Sequence, residues 1–255
     1  MTVNTNQLPS DTQQQLVHQS QGKLKKYQDL VIGRTDLRTL ITYECVTLCS
    51  TWVPGALGLF LRGHLYKWLL GSVGRNVVFG ANVVLRHPHK IFIGDNVVID
   101  DSCVLDAKGR DNTGIVIGDN VFVGRNSLVY CQNGNICIGD NANIGSNCQI
   151  FSANSVNIGQ DVLMGAYSYL VGGGHIAQDP TIPINRQGRK ALGITVEEDV
   201  WLGAGVTVLD GMTIGKGVIV GAGAVVKDSA SSYAIIGGVP AKVLGDRTMK
   251  RELKP

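Results

Sequence analysis

His175 closes the run Tyr169-Leu170-Val171-Gly172-Gly173-Gly174-His175 and opens a segment bearing Pro180, Pro183, Arg186, Gly188, Arg189 and Lys190. Imidazole is the side chain whose ordinary pKa suits taking a proton from a hydroxyl near neutral pH, so His175 is a candidate general base. The three glycines before it can bring backbone amides close to a developing negative charge, or simply make a turn. No Ser-His-Asp or Cys-His arrangement is readable, which favours direct transfer over a covalent intermediate. The six cysteines show no CxxC or zinc-finger spacing. Asp179, Glu197 and Glu198 are the nearest carboxylates in sequence that could orient the imidazole.

The element that must hold His175 is a repeat. An aliphatic residue followed by Gly or another small residue recurs every six positions, as in IGDNVV from Ile93, IGDNVF from Ile117, IGSNCQ from Ile144 and IGKGVI from Ile214. Period six is neither helical nor a simple strand alternation; it predicts an all-β solenoid, a parallel β-helix of six to seven triangular coils. The aliphatics form triplets such as Ile93/Ile99/Leu105 and Ile158/Met164/Leu170. A smaller residue four places on, among them Val97, Cys103, Ser127, Ala142, Cys148 and Ser168, also points inward. Extra residues fall only between triplets, so every insertion leaves from the same corner. Stacked, these corners make one decorated edge, and the large insertion that follows His175 departs from it.

Four segments follow: a mobile tail over 1–22, a helical region over 23–74, the repeat over 75–232 with its inserted loop 176–195, and a C-terminal segment over 233–255. The helical region is expected to cap the open end of the solenoid, which otherwise exposes core and an unpaired strand edge. Its apolar stretch from Leu40 to Leu70 is broken by Glu44 and Pro54-Gly55, too soon for a spanning helix. A second reading puts it at a membrane surface with Arg62, Lys67 and Trp68 at headgroup level. The polar, Gln-rich first twenty residues lack a leader pattern, and reduced thiols suit a cytoplasmic home or the inner face of a membrane. Cys103 and Cys148 are expected buried, Cys45 and Cys49 packed on a helix, and His87 and His89 in a surface turn. A net charge of +3, with no basic run, argues against nucleic acid as partner.

The stretch GGGH, then VWLGAGVTVLDGMTIGKGVIVGAGAVVKD and GGVPAKVL, resembles the hexapeptide-repeat acyltransferases, nearest to sugar O-acetyltransferases of the galactoside and maltose type. The resemblance covers about Val77–Leu244. It implies a left-handed β-helix, a homotrimer with active sites between subunits, acetyl-CoA as acyl donor, no metal, and His175 as the general base. Left-handedness comes from the resemblance alone, since parallel crossovers are normally right-handed. It also implies coenzyme A contacts at Gly165, Ala204 and Ala222, with Lys227 and Lys242 near its phosphates. The fold itself wants small residues at corners, so those three positions admit a purely structural reading too. Trp201 should point outward beside the acceptor cleft, stacking on a sugar or packing under the loop.

The chain departs from that family at two places. The Asn that faces the histidine there is Gly145 here, with Asn147 and Asn154 as candidate substitutes, and an Asp pair is replaced by Ser152-Ala153. The acceptor is therefore expected to differ from a simple galactoside: a sugar in polysaccharide or glycolipid assembly, another small molecule, or a lipid-linked hydroxyl. Two other classes stay open, a non-catalytic scaffold and a zinc enzyme of the γ-carbonic anhydrase type. The second needs three converging histidines from the five available.

Overall fold

The computed structural model describes residues 22–249. The tail expected over 1–22 lies outside the described residues except for Gly22. The repeat builds a left-handed parallel β-helix whose three faces hold seven, nine and seven strands. Register confirms the triplets: Ile93 pairs with Ile117, Ile99 with Val123, and Leu105 with Val129. All the triplet aliphatics are buried, as are the smaller inward residues between them. Four of these are polar and each has a partner: Ser127 Oγ donates to the Gly145 carbonyl and Ser168 Oγ to the Gly203 carbonyl (both 3.0 Å), and Cys103 and Cys148 Sγ each donate to a carbonyl at 3.2 Å.

The corners explain the DN of the IGDN motif, which the repeat pattern left unread. Asn96, Asn120 and Asn141 adopt left-handed φ values of 58° to 59°, a region Asn tolerates better than most residues. Their side chains form a ladder, Asn76 to Asn96 to Asn120 to Asn141 to Asp161, with links of 2.9–3.1 Å. The preceding aspartates accept backbone N–H groups of the coil below, as Asp119 does from Asp95 N (2.7 Å). This edge, between the first and second faces, is thus consumed by structure.

The solenoid begins at Ser72–Val73, three residues before the expected start. It also runs past 233: Ala234–Gly237 pairs with Ile219–Val220, and Lys242–Asp246 folds back antiparallel on it. At the other end sits the helical cap: α1 (Lys23–Tyr27), α2 (Leu37–Ser50) and α3 (Gly55–Leu65). Asp36 caps α2 by accepting from Thr39 N (2.8 Å), and Pro54 precedes α3. Tyr43 Oη donates to the Leu85 carbonyl (2.8 Å), fixing α2 to the first coil.

Arg62 differs from expectation. It is buried, not at a headgroup level, and donates to the carbonyls of Phe79 (2.9 Å), Ser50 (3.0 Å) and Val53 (2.6 Å). A guanidinium with its donors met by carbonyls is tolerated inside and stitches the two helices to the solenoid. Gly58 makes this possible, since a Cβ there would sit 1.8 Å from the Val53 carbonyl oxygen. His87 is also buried rather than in a surface turn; its Nε2 lies 3.1 Å from the Asp29 carbonyl. Cys45 and Cys49 are exposed, on the side of α2 that faces away from the solenoid. No helix among the described residues is long and apolar enough to cross a membrane.

Candidate active site

Insertions do gather on one edge, between the third and first faces, and they bond to one another. Lys90 Nζ donates to the Gly109 carbonyl (2.8 Å), Arg110 N to Asn133 Oδ1 (2.9 Å), and Asn112 Nδ2 to the Gly134 carbonyl (2.8 Å). Asn154 Nδ2 donates to the Ala191 carbonyl (3.1 Å), and Asp210 accepts from Leu192 N and Gly193 N (2.8 and 2.9 Å). Asn154 therefore anchors the return of the long insertion. The insertion itself is a ribbon: Gly174–His175 pairs antiparallel with Arg189–Lys190. Beyond that rung, Gln187 Nε2 bonds the carbonyls of Asp179 and Ile182 (2.7 and 2.6 Å) and gives the ribbon an internal tie.

His175 stands at the base of this ribbon, exposed, immediately after the third-face strand Tyr169–Gly172. Its ring has no hydrogen-bond partner among the described residues. The three carboxylates considered as its orienters are engaged elsewhere. Asp179 accepts from Thr181 N and Oγ1 (2.8 and 2.6 Å), Glu197 from Lys216 N (2.7 Å), and Glu198 pairs with Lys216 Nζ (2.5 Å). Gly172 and Gly173 are buried against the previous coil: a Cβ on Gly172 would lie 2.5 Å from the Phe151 carbonyl oxygen. They serve close packing, and only Gly174 is open.

The proposed coenzyme contacts divide. Ala204 and Ala222 stack on the edge between the second and third faces, and Gly205 and Gly223 follow at φ 70°. A Cβ on Gly223 would meet nothing within 4 Å, so the groove along this edge is lined by small residues at its last two coils. Lys242 pairs with Gly237, which continues the same edge one coil on. Gly165 is in register with Gly203, not with Ala204; the residue under Ala204 is Ala166. Its lack of a Cβ is required by Ala204 N at 2.5 Å, a demand of coil stacking. Within the protomer Lys227 lies apart from these: it follows the last third-face strand, toward the edge that carries His175, and is paired with Asp228 (2.6 Å). Asn147 also lies on the groove edge, with a corner φ of 58°, away from His175. Trp201 points outward between Leu163 and Ile219 on the second face, the face opposite the edge that carries His175.

Two features escaped the sequence reading. Tyr167 holds φ 62° and is 70% exposed, directly below Gly205 in the groove row. A bulky residue in that backbone region is strained and points to a role outside the fold. Second, the third face carries an aromatic ledge. Tyr130 and Phe151 rings lie 5.0 Å apart, and Tyr130 Oη and Tyr169 Oη are 3.1 Å apart. Burial, then Tyr169, raises the Tyr130 phenol above its usual pKa. The ledge abuts Gly173, since Phe151 Cε1 is 3.4 Å from where its Cβ would stand. Outward positions carry no period, so only their shared register could have revealed it.

The family model for the bacterial transferase hexapeptide (six repeats) matches residues 193–228, and that for the hexapeptide repeat of succinyl-transferase matches 72–107, 114–134 and 135–170. The chain belongs to the hexapeptide-repeat acyltransferases. A Mycobacterium tuberculosis protein assigned as an acetyltransferase is 31% identical over 66% of this chain; the match spans only 55% of that relative's length. WbbJ of Escherichia coli, assigned to O-acetyl transfer in lipopolysaccharide biosynthesis, is 35% identical over 63% of this chain and 74% of its own. Among solved structures, a point mutant of the Bacillus cereus N-acyltransferase AntD, bound to dTDP-4-amino-4,6-dideoxyglucose and coenzyme A, is similar at 25% identity. It covers 78% of this chain and 92% of its own, with a TM-score of 0.53. Among the described residues of this acyltransferase fold, no group of three or more His, Cys, Asp or Glu is arranged to hold a metal.

Proposed function

We propose that the chain transfers an acyl group, acetyl foremost, from acyl-coenzyme A to a hydroxyl of a sugar-bearing acceptor within a ternary complex. The observation that carries this is the exposed His175 ring at the base of the ribbon, with a groove lined by small residues on the next edge. His175 takes the acceptor's hydroxyl proton as that oxygen bonds to the acyl carbon. It returns the proton to the thiolate released when the carbon–sulfur bond breaks. Ala204, Ala222 and Gly223 admit the donor's extended arm, Tyr167 borders it, and Lys242 faces its anionic end. The ledge of Tyr130, Phe151 and Tyr169 offers a stacking surface for a sugar ring next to Gly173. The likeness to AntD, solved with an amino sugar, favours an amine as the second acceptor type.

The groove and His175 lie on edges separated by the third face, roughly 15–20 Å of extended chain. Pairing His175 with a neighbour's groove removes that gap and supports a homotrimer. A coenzyme A thioester as donor supports a cytoplasmic site. The test is turnover of His175→Ala with acetyl-CoA, longer acyl-CoAs and a sugar acceptor panel, followed by release of free thiol. A loss of about 10²- to 10⁴-fold is expected with coenzyme A binding intact by calorimetry. Near wild-type turnover would remove His175 as the base.

A further inference from the structure

We infer that the helical cap is a docking element for an anionic lipid bilayer. Helix α2 is apolar on both sides. Tyr43 and Val46 face the solenoid, while Leu37, Ile41, Leu48 and Trp52 form the opposite, exposed stripe, with Trp52 65% accessible. In α3 the inward positions are Gly58 and Arg62, and Leu57 and Phe60 stand outside, followed by Trp68 at 70% exposure. Phe60 stacks on His64 at 4.2 Å between ring centroids, which holds it outward. The bonds of Arg62 and Tyr43 fix the inner faces to the first coil, so neither helix can turn its outer face in. A second apolar stripe on the outer side of a docked helix calls for a cover, and large exposed apolar patches mark contact surfaces.

Charge identifies the cover. Of 23 Lys and Arg and 20 Asp and Glu in the chain, residues 23–71 hold seven and three. The rest of the chain is left with sixteen against seventeen, so the positive balance resides in the cap. Arg62 is buried, which leaves six cations on the cap that carries the apolar stripes: Lys23, Lys25, Lys26, Arg34, Arg38 and Lys67. Of the three acids, Asp36 is used as a helix cap and Glu44 accepts from Tyr27 Oη (2.6 Å). Exposed aliphatics and tryptophans on a net-cationic cap match an anionic interface, where lysine and arginine heads reach lipid phosphates. A second copy would set like charges against each other across a two-fold contact. The first 21 residues carry only five apolar side chains, Met1, Val3, Leu8, Leu16 and Val17, amid Gln, Asn, Ser and Thr.

The experiment is co-sedimentation of the full chain with vesicles of phosphatidylcholine alone or with 30% phosphatidylglycerol. Two double variants are compared, Leu48→Ser with Phe60→Ser, and Arg34→Glu with Arg38→Glu. Binding is expected to the anionic vesicles, weakened by salt, and to fall about tenfold or more in each variant. Light scattering should show one oligomeric state throughout. The inference is overturned if anionic vesicles leave the chain in the supernatant or if both variants bind like the wild type. It is equally overturned if the serine variant lowers the oligomeric state, since a second copy then covers the face. None of these readouts depends on acyl transfer.

Discussion

Three of the six thiols are hidden by the repeat and three are not. Cys103, Cys131 and Cys148 are buried, and burial pushes the first two up to about 11 and about 12. The thiolate is the reactive form, so these should resist alkylation in the native protein. Mass spectrometry after brief iodoacetamide treatment should find Cys45, Cys49 and Cys137 modified, and all six only in denaturant. Tyr167 gives a second residue-scale expectation. Tyr167→Gly relieves a left-handed φ and should hold or raise the melting temperature, while raising KM for acyl-CoA several-fold. An unchanged KM would make the residue merely a strained corner. At this scale the position of His175 at the foot of the insertion was legible, because glycines and an ended triplet mark it. Arg62 and His87 were not: polarity in a sequence suggests surface, and only tertiary structure brings three carbonyls to Arg62 and the Asp29 carbonyl and Asp106 carboxylate to His87. Asn147 and Gly165 carry a structural demand as well, since corner and stacking geometry selects the same residue types as a ligand would.

The elements were more readable than their ends. Hexapeptide spacing specifies inward positions directly, and each expected triplet is in register. Where the coil stops is set by pairing: Ala234–Gly237 lacks the hexapeptide signal yet still adds to the second face. The long insertion likewise looked like loop, because its antiparallel rung involves only Gly174–His175 and Arg189–Lys190. The cap offers a pH test. Burial first, then the Arg34 charge, with His87 and Lys90 adding, lowers His89 to about 4 from its ordinary 6.5. The unfolded chain therefore binds this proton more readily. Stability from a neutral His89 is whole above pH 6.5 and is lost as pH falls toward 4. The depressed carboxylates Asp36, Asp95 and Asp179 titrate below 3.8 and leave that window clear. The melting temperature should drop from pH 7.5 to 5, and drop less in His89→Gln.

For the whole molecule, the separation of His175 from the groove makes subunit mixing informative. His175→Ala keeps an intact groove, and Ala222→Trp blocks it while sparing His175. Each alone should be nearly inactive, yet coexpression or refolding together should restore about a quarter of the wild-type rate if each site draws on two subunits. No recovery would mean that a site is completed within one protomer. Sequence could indicate the solenoid and its decorated edge, but not which edges meet, because that depends on face widths and on where the groove opens. The same confinement has an evolutionary corollary. Gly173 and Gly193 bracket the ribbon, and both press on the coil before them, at Ala153 and Ser155. Between these two fixed posts the chain can exchange one hairpin for another without disturbing a single inward side chain. The hairpin is thus a cassette, free to diversify while the column behind it stays the same.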